Sequence, residues 1–395
     1  MGAELLRAGT ARAPGSRSGP GGTCVGVGAP TPSSGFVRPK SSSGSPPPAP
    51  PSPAPLLTPR NAGVSVRNGH SGILRLRIEQ VDRELTRLPI APRRTKLPRT
   101  MLTLEFLAEL VEKNRPAAQA RVREFALGGR EFPFNSTPAI MGVVNLSAGS
   151  WYRESVCLSA EAAIARGRVL AAQGAAIVDL GAESTLANTE LVGADLQNSK
   201  LLPVVQALRS AGILVSVETY HPKVTTACLV AGANVLNLTG SDRNEAMYRA
   251  VAEHQAAVII CHVQGANVRA VGDFDLSADP VPAMYEYFAR EIETATRCGV
   301  ERILIDPGLG FYYRNLQDSA VRVRHQMNIF LNTFRLRELG FPVCHALPHA
   351  FEFFGDEVRC AEPFFTVLAA LGRTDLFRTH EVPRIQAVLN TLKSF

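Results

Sequence analysis

The stretch 175-AAIVDLGAEST-185 decides the fold. Five apolar residues and one acid make a run of strand length. It ends in a glycine turn that carries Glu183, Ser184 and Thr185. An uninterrupted apolar run of this kind reads as a strand covered on both faces, as in a parallel sheet. A buried strand that delivers an acid and two hydroxyls at its C-terminal end is placing chemistry there.

The same rhythm recurs from residue 139 onward. The strand candidates are 139-AIMGVVN-145, 175-AAIVDLG-181, 213-ILVSVET-219, 234-NVLNL-238, 257-AVIICHV-263, 302-RILID-306, 342-PVCHAL-347 and 375-DLFRT-379. Helical stretches lie between them. In 159-SAEAAIARGRVLAAQGA-175, Ser159 is the N-cap candidate and Glu161 sits in the first turn. The stretch 282-PAMYEYFAREIETATRCG-299 ends at Gly299, a usual stop. Eight strand–helix units in about 255 residues match an α/β fold, a (β/α)8 TIM barrel. A doubly wound sheet is the alternative, but the first βα turn, 145-NLSAGSWYRES-155, lacks the GxGxxG of a dinucleotide fold.

Three regions are expected within the 395 residues. Residues 1–72 form a disordered tail rich in Pro, Gly, Ser and Arg, in which 46-PPPAPPSPAP-55 can form neither helix nor sheet. Residues 73–136 form a small helical extension, whose piece 102-LTLEFLAELVEKN-114 has helical spacing. Residues 137–395 form the barrel. No acid occurs between Glu4 and Glu79, so the N-terminus also allows an organellar transit peptide. A dispensable linker, or a start at Met101, is the preferred reading.

The net charge of +7 is unevenly placed. Residues 1–100 hold 15 Lys/Arg against 4 Asp/Glu, and residues 101–395 hold 27 against 31. The body is mildly acidic, which with the lack of any recognition motif speaks against nucleic acid. No apolar run reaches membrane-spanning length. The seven cysteines are scattered, odd in number and without CxxC pairs, which points to reduced thiols and a cytoplasmic setting.

Strand ends of such a barrel carry the active site. They supply Asn145, Glu183, Ser184, Thr185, Glu218, Asn237, His262, Asp306, His345, His349, Arg378 and His380. Any one of these could simply cap a helix, but a polar group at the end of nearly every strand calls for a ligand. The acids and amide at Glu218, Asn237 and Asp306 suit a flat heterocycle with a guanidine-like N–H edge. Arg378 and His380 end the eighth strand, where barrels commonly bind phosphate. Zinc is set aside: strand alternation lets each of Cys261-His262 and Cys344-His345 offer at most one ligand. Small buried side chains are the preferred reading of Cys261 and Cys344. The loop aromatics Trp151, Tyr152 and those of 311-FYYRNLQD-318 read either as a lid over a flat ligand or as loop packing.

Seven motifs in order resemble the dihydropteroate synthase family of pterin-binding barrels. They are 140-IMGVVNLS-147, 177-IVDLGAEST-185, 215-VSVETY-220, 234-NVLNL-238, 261-CHVQG-265, 304-LIDPGLGF-311 and 378-RTHEV-382. The resemblance implies a transferase that condenses a pterin-methyl diphosphate with p-aminobenzoate in folate biosynthesis. It implies catalytic roles for Asn145, Thr185, Arg378 and His380, with Asn145 near a Mg2+ ion. Glu218, Asn237 and Asp306 would line the pterin pocket, and the strand-end reading adds His262 and His349 as substrate-binding candidates. Pairing of barrels through later helices would make a homodimer. The chain departs from the family pattern at Gly149 (a loop acid), Leu186 (an arginine), Glu218 (a shorter Asp) and His349 (near a lysine). These departures keep open a pterin-binding protein that has lost diphosphate chemistry, or one that uses another heterocycle. A folate-type methyltransferase is disfavoured because EST and RTHEV are kept.

Overall fold

A computed structural model describes residues 101–395, except Trp151, Leu186 to Asn188, Asp242, Arg243, Tyr312, Gln317 and the side chain of Arg314. The expected tail, residues 73–100 of the extension, and the readings placed on Trp151, Leu186 and Tyr312 therefore lie outside the described residues.

The extension opens with helices α1 (Leu104–Lys113) and α2 (Arg115–Gln119). Thr103 caps α1 by accepting from the Phe106 amide at 3.3 Å. The helical reading stops there. Strands β1 (Phe125–Leu127) and β2 (Arg130–Phe132) pair as an antiparallel hairpin. Gly128 and Gly129 form the two-residue turn with φ of 56° and 83°, the left-handed geometry such a hairpin requires.

The barrel strands are β3 (Ala139–Asn145), β4 (Ile177–Gly181), β5 (Val215–Thr219), β6 (Val235–Leu238), β7 (Ala257–Cys261), β8 (Arg302–Asp306), β9 (Cys344–Ala346) and β10 (Leu376–Thr379). They correspond one to one with the eight expected strands, trimmed at their ends. All pair in parallel in the order β8-β7-β6-β5-β4-β3-β10-β9. A bridge between Ile305 and Val343 joins the two ends into a barrel. The principal outer helices are α3 (Ala160–Ala172), α4 (Ala194–Ser210), α5 (Pro222–Val230), α6 (Asn244–Glu253), α7 (Val281–Arg297), α8 (Ser319–Leu336), α9 (Phe351–Phe354), α10 (Ala361–Leu371) and α11 (Val382–Lys393). Ser159 caps α3 as expected, accepting from the Ala162 amide at 3.2 Å.

Period-two alternation divides each strand between two cores. Ile140, Val178, Val217 and Ile260 face the helices in one cluster. Met141, Ile177, Val235, Ile259 and Leu304 face the barrel axis in another. That inner cluster also contains Val122, Leu127, Phe132 and Phe134 from the hairpin region, so the extension closes the barrel floor. The three rings Phe125, Phe132 and Phe134 lie 5.4–5.9 Å apart in pairs. Arg302 Nε donates to the carbonyl of Ala126 at 2.8 Å and ties the hairpin to β8.

A buried ion pair, Arg337 with Asp375, secures the same floor. Asp375 also accepts from the Val343 amide at 2.8 Å, and Arg337 donates to Asn135 at 3.1 Å. Asn135 in turn bonds both the amide and the carbonyl of Val122. Asp375→Ala leaves a guanidinium only 1% exposed without its charge partner. It should cost about 3–5 kcal/mol, as breaking buried pairs does, read from the urea unfolding midpoint; a loss below about 1 kcal/mol would show that the pair does not secure the floor.

Candidate active site

The inward residues change character along the barrel. The floor layer is apolar, whereas the last inward position is Asn145 on β3, Glu218 on β5, Asn237 on β6, Asp306 on β8 and Arg378 on β10. Register sets Asn145, Gly181, Glu218 and Asn237 side by side on four neighbouring strands. Asn145, Glu218 and Asn237 floor a cleft at the C-terminal mouth, where a TIM barrel carries its chemistry.

Eight of the nine expected site residues line this cleft: Asn145, Thr185, Glu218, Asn237, Asp306, His349, Arg378 and His380. His262 does not. It follows the inward Cys261, so alternation turns its ring outward against Tyr287, Phe274 and Phe288 at centroid distances of 4.9–6.1 Å. Burial, helped by His325, pushes its pKa down to about 4, which makes it a neutral packing residue. His345 has the same phase. It bonds Thr333 at 2.7 Å and meets Phe330 edge-on, outside the cleft. Cys261 and Cys344 are the inward members of the two pairs. Burial raises both thiols well above the ordinary value, so they stay protonated at neutral pH.

The deepest feature is an acid that the motif reading passed over. Asp179, on β4 within the stretch quoted at the outset, is fully buried. Its Oδ2 accepts from Arg378 Nε at 2.8 Å and from Asn237 Nδ2 at 3.2 Å. Arg378 spends a second edge on Glu218, with Nη2 at 2.5 Å from Oε2. Arg378 therefore lies between two carboxylates on the cleft floor rather than at an open rim. Burial opposes its charge, but Asp179 and Glu218 outweigh it and hold its pKa above the usual arginine range. An acid at the inward phase of an apolar strand was the sequence signal for Asp179.

Asp179, Glu218 and Asp306 place three carboxyls around one guanidinium. Burial pushes Glu218 up to about 7, with Arg378 opposing and Asp179 and Asp306 adding to the rise. Burial likewise raises Asp306 to about 6, against the Gly308 N–H that its Oδ1 accepts at 2.7 Å. Gly308 makes that bond at φ 76°, where a Cβ would meet the carbonyl of His262 at 2.3 Å. Three carboxyls against one guanidinium leave the floor short of positive charge, which favours a proton on Glu218 or Asp306.

The rim is built from loops tied to one another. Asn145 Nδ2 donates to Ser150 at 3.0 Å and to Ser155 at 2.6 Å, which folds the first loop back over β3. Ser184 donates to the Gly149 carbonyl at 3.1 Å. Arg269 donates to the Ser184 carbonyl at 3.0 Å and the Thr189 carbonyl at 2.6 Å, bracing the second loop from the fifth. Tyr152 stacks on His380 at 4.6 Å and hydrogen-bonds Glu381, which Arg359 also pairs. Arg322 of α8 reaches the cleft beside His349 while holding Glu352 at 2.8 Å. Burial and then Arg322 lower His349 to about 4. Arg322 and Arg269 carry no sequence signal, since their reach depends on helix and loop placement. Among the described residues no cluster of three or more His, Cys, Asp or Glu is arranged to hold a metal.

The family model described as pterin binding enzyme matches residues 141–345, about half of the chain. The chain belongs to this pterin-binding enzyme family, on its dihydropteroate synthase side. It is 28% identical over 271 residues to a type-2 dihydropteroate synthase of Escherichia coli, covering 66% of this chain and 97% of that one. It is 29% identical over 271 residues to a probable bifunctional folylpolyglutamate synthase/dihydropteroate synthase of Haloferax volcanii, covering 67% of this chain. The match spans only 31% of that longer relative. The solved dihydropteroate synthase of Xanthomonas albilineans with 4-aminobenzoic acid superposes with a TM-score of 0.57 at 27% identity, over 69% of this chain and 97% of that chain. The same enzyme is also solved with 7,8-dihydropteroate.

The raised value of Asp306 makes a stability prediction. An acid whose folded pKa exceeds the ordinary 3.8 stabilises fully below that value and loses the contribution as pH rises through 6. Asp306→Asn should therefore gain stability relative to the parent as pH rises from about 4 to 7, by at most about 3 kcal/mol at 1.36 kcal/mol per unit. Melting temperatures across that range check it, and a difference independent of pH counts against a raised Asp306.

Proposed function

We propose that this protein condenses a pterin-methyl diphosphate with p-aminobenzoate to give dihydropteroate, as its relatives do. The observation that carries the reading is the buried Asp179–Arg378–Glu218 cluster beside Asp306 and Asn237. Three carboxyls around one cation suit a flat ring whose edge presents several N–H donors. Asn237, already fixed through Asp179, donates and accepts at the same edge. A heterocycle that takes over Glu218 also releases Arg378 Nη2 toward the leaving diphosphate.

The reaction breaks the C–O bond of the pterin methylene, and the diphosphate leaves with the electron pair. The arylamine nitrogen forms the new C–N bond and gives up its proton. Arg378 and His380 face the departing charge, where fixed donors act most strongly. Thr185 and Ser184 border the approach of the arylamine, and Arg322 with His349 offers its carboxylate a polar wall. Asn145 fits a Mg2+ site of the diphosphate kind: its Nδ2 is committed to two hydroxyls, and its Oδ1 is left as one hard oxygen for a cation otherwise held by phosphate and water. Bound there, Mg2+ would neutralise charge building on the leaving group.

A second reading rests on a specific contact. Both edges of Arg378 are engaged by acids, as they would be in a pterin-binding protein without diphosphate chemistry. Purified protein with the pterin-methyl diphosphate, p-aminobenzoate and Mg2+ should yield dihydropteroate. A pterin bound without turnover would select the second reading. In either case Glu218→Ala should lower pterin affinity at least 100-fold by calorimetry, and unchanged affinity would remove the pterin pocket itself.

The exposed stripe Phe364, Val367 and Leu371 on α10 supports a homodimer, since it is apolar at one-face spacing. Leu371→Glu should shift the mass measured by light scattering toward the monomer; a mass of one chain in the parent protein would dismiss the dimer. Among the described residues no helix is long and apolar enough to cross a membrane. The six described cysteines are all free, which supports a reducing, cytoplasmic setting.

A further inference from the structure

One buried acid is not accounted for by the pterin pocket. Glu362, in the first turn of α10, is 2% exposed in a helix whose only other polar residue is Thr366, 361-AEPFFTVLAAL-371. Burying a carboxylate is costly unless its oxygens are matched to donors. Among the described residues, the hydrogen-bond partners of its carboxylate are Thr379, the last residue of β10, and His380, the next. Thr379 Oγ1 donates to its Oε2. The His380 amide lies 3.2 Å from the same oxygen. His380 Nδ1 lies 2.8 Å from Oε1. Among these partners only His380 lines the cleft.

We propose that Glu362 is a positioning residue for His380. It accepts a hydrogen bond from Nδ1–H, locks the ring, and so presents Nε2 as the nitrogen that addresses substrate. The reading of His380 as a group facing the diphosphate is that of the preceding subsection, on which this inference rests. Two further contacts hold the residue, one to its ring and one to its backbone. Tyr152 lies parallel to it at 4.6 Å with 13° between planes, and Arg166 Nη2 approaches the His380 carbonyl at 3.4 Å. Glu362 is the contact that discriminates between the two ring nitrogens. A stacking ring fixes the plane but not its in-plane rotation, and a hydrogen bond at Nδ1 fixes both that rotation and the tautomer. The partner comes from α10, so the helix that follows β9 sets the geometry of a residue that ends β10.

The test uses the full chain with Glu362→Ala, Glu362→Gln, His380→Ala and the Glu362→Ala/His380→Ala double variant. Turnover of the pterin-methyl diphosphate with p-aminobenzoate should fall roughly 10-fold to 100-fold in kcat for either alanine variant, the range typical of partners that orient a ring nitrogen. The double variant should be no slower than His380→Ala alone. Glu362→Gln, which keeps an acceptor for Nδ1–H, should recover most of the loss. Affinity for a hydroxymethyl-pterin that lacks the diphosphate should stay within about twofold, since the pterin pocket is untouched. At a pH where the ring carries one proton, nitrogen NMR of 15N-histidine-labelled protein, with His380 assigned by difference, should show that proton on Nδ1 in the parent. In Glu362→Ala the proton should move toward Nε2, as in free imidazole side chains.

Multiplying losses in the double variant, or a tautomer that ignores Glu362, would overturn the proposal. Should Glu362→Ala unfold, Glu362→Met, which fills similar space without an acceptor for Nδ1–H, carries the same readouts. A parent protein that makes no dihydropteroate would defeat the function reading alone, because the tautomer still decides whether Glu362 positions the ring.

Discussion

The Arg378 guanidinium, held between Asp179 and Glu218, is the constraint on which the site depends. Each of these charges would cost several kcal/mol to bury alone. Together they satisfy most of one another's hydrogen bonds in a low-dielectric barrel, where such contacts are strong and unforgiving. The cluster draws on β4, β5 and β10, and Asn237 adds β6 through Asp179. A shift of any of these strands by one residue would turn its charge outward into the apolar layer against the helices. The cluster thus ties barrel register to site chemistry.

Around that floor, each loop is braced by a different loop. Arg269 links the fifth loop to the second, Ser184 links the second to the first, and Tyr152 links the first to the segment after β10. The floor of the cleft is therefore built on strands, whereas its rim is a ring of mutual contacts between loops. This division suits a transferase. In the proposed reaction the ring system would be gripped in one pose, while the rim would admit the arylamine and release two products. In the proposed function, the excess of carboxyl over guanidinium groups on the floor would let the pocket hold a proton when empty and take up ligand N–H groups when full.

Much of this was legible in the chain. Apolar runs of strand length with polar ends located all eight barrel strands, because a parallel strand covered on both faces leaves few other patterns. The motifs brought eight of nine expected residues into one cleft. His262 failed for a plain reason: the motif marks a position, and alternation after the inward Cys261 decides the face. Asp179 was visible as an acid in an apolar strand, yet the polar EST turn beside it drew the reading away. The hairpin of residues 125–132 went unread because each strand has only three residues, too few for a period to show.

The sequence by itself determined the barrel, its order of strands and the residue types gathered at their C-terminal ends, since these follow from local periodicity and chain direction. Tertiary structure alone decided which charges meet. Arg378 lies 199 residues from Asp179 and 160 from Glu218, and Arg337 lies 202 residues from Asn135. No local pattern encodes such pairs. They exist because closing the barrel brings the first and last strands together and excludes water from the space between them.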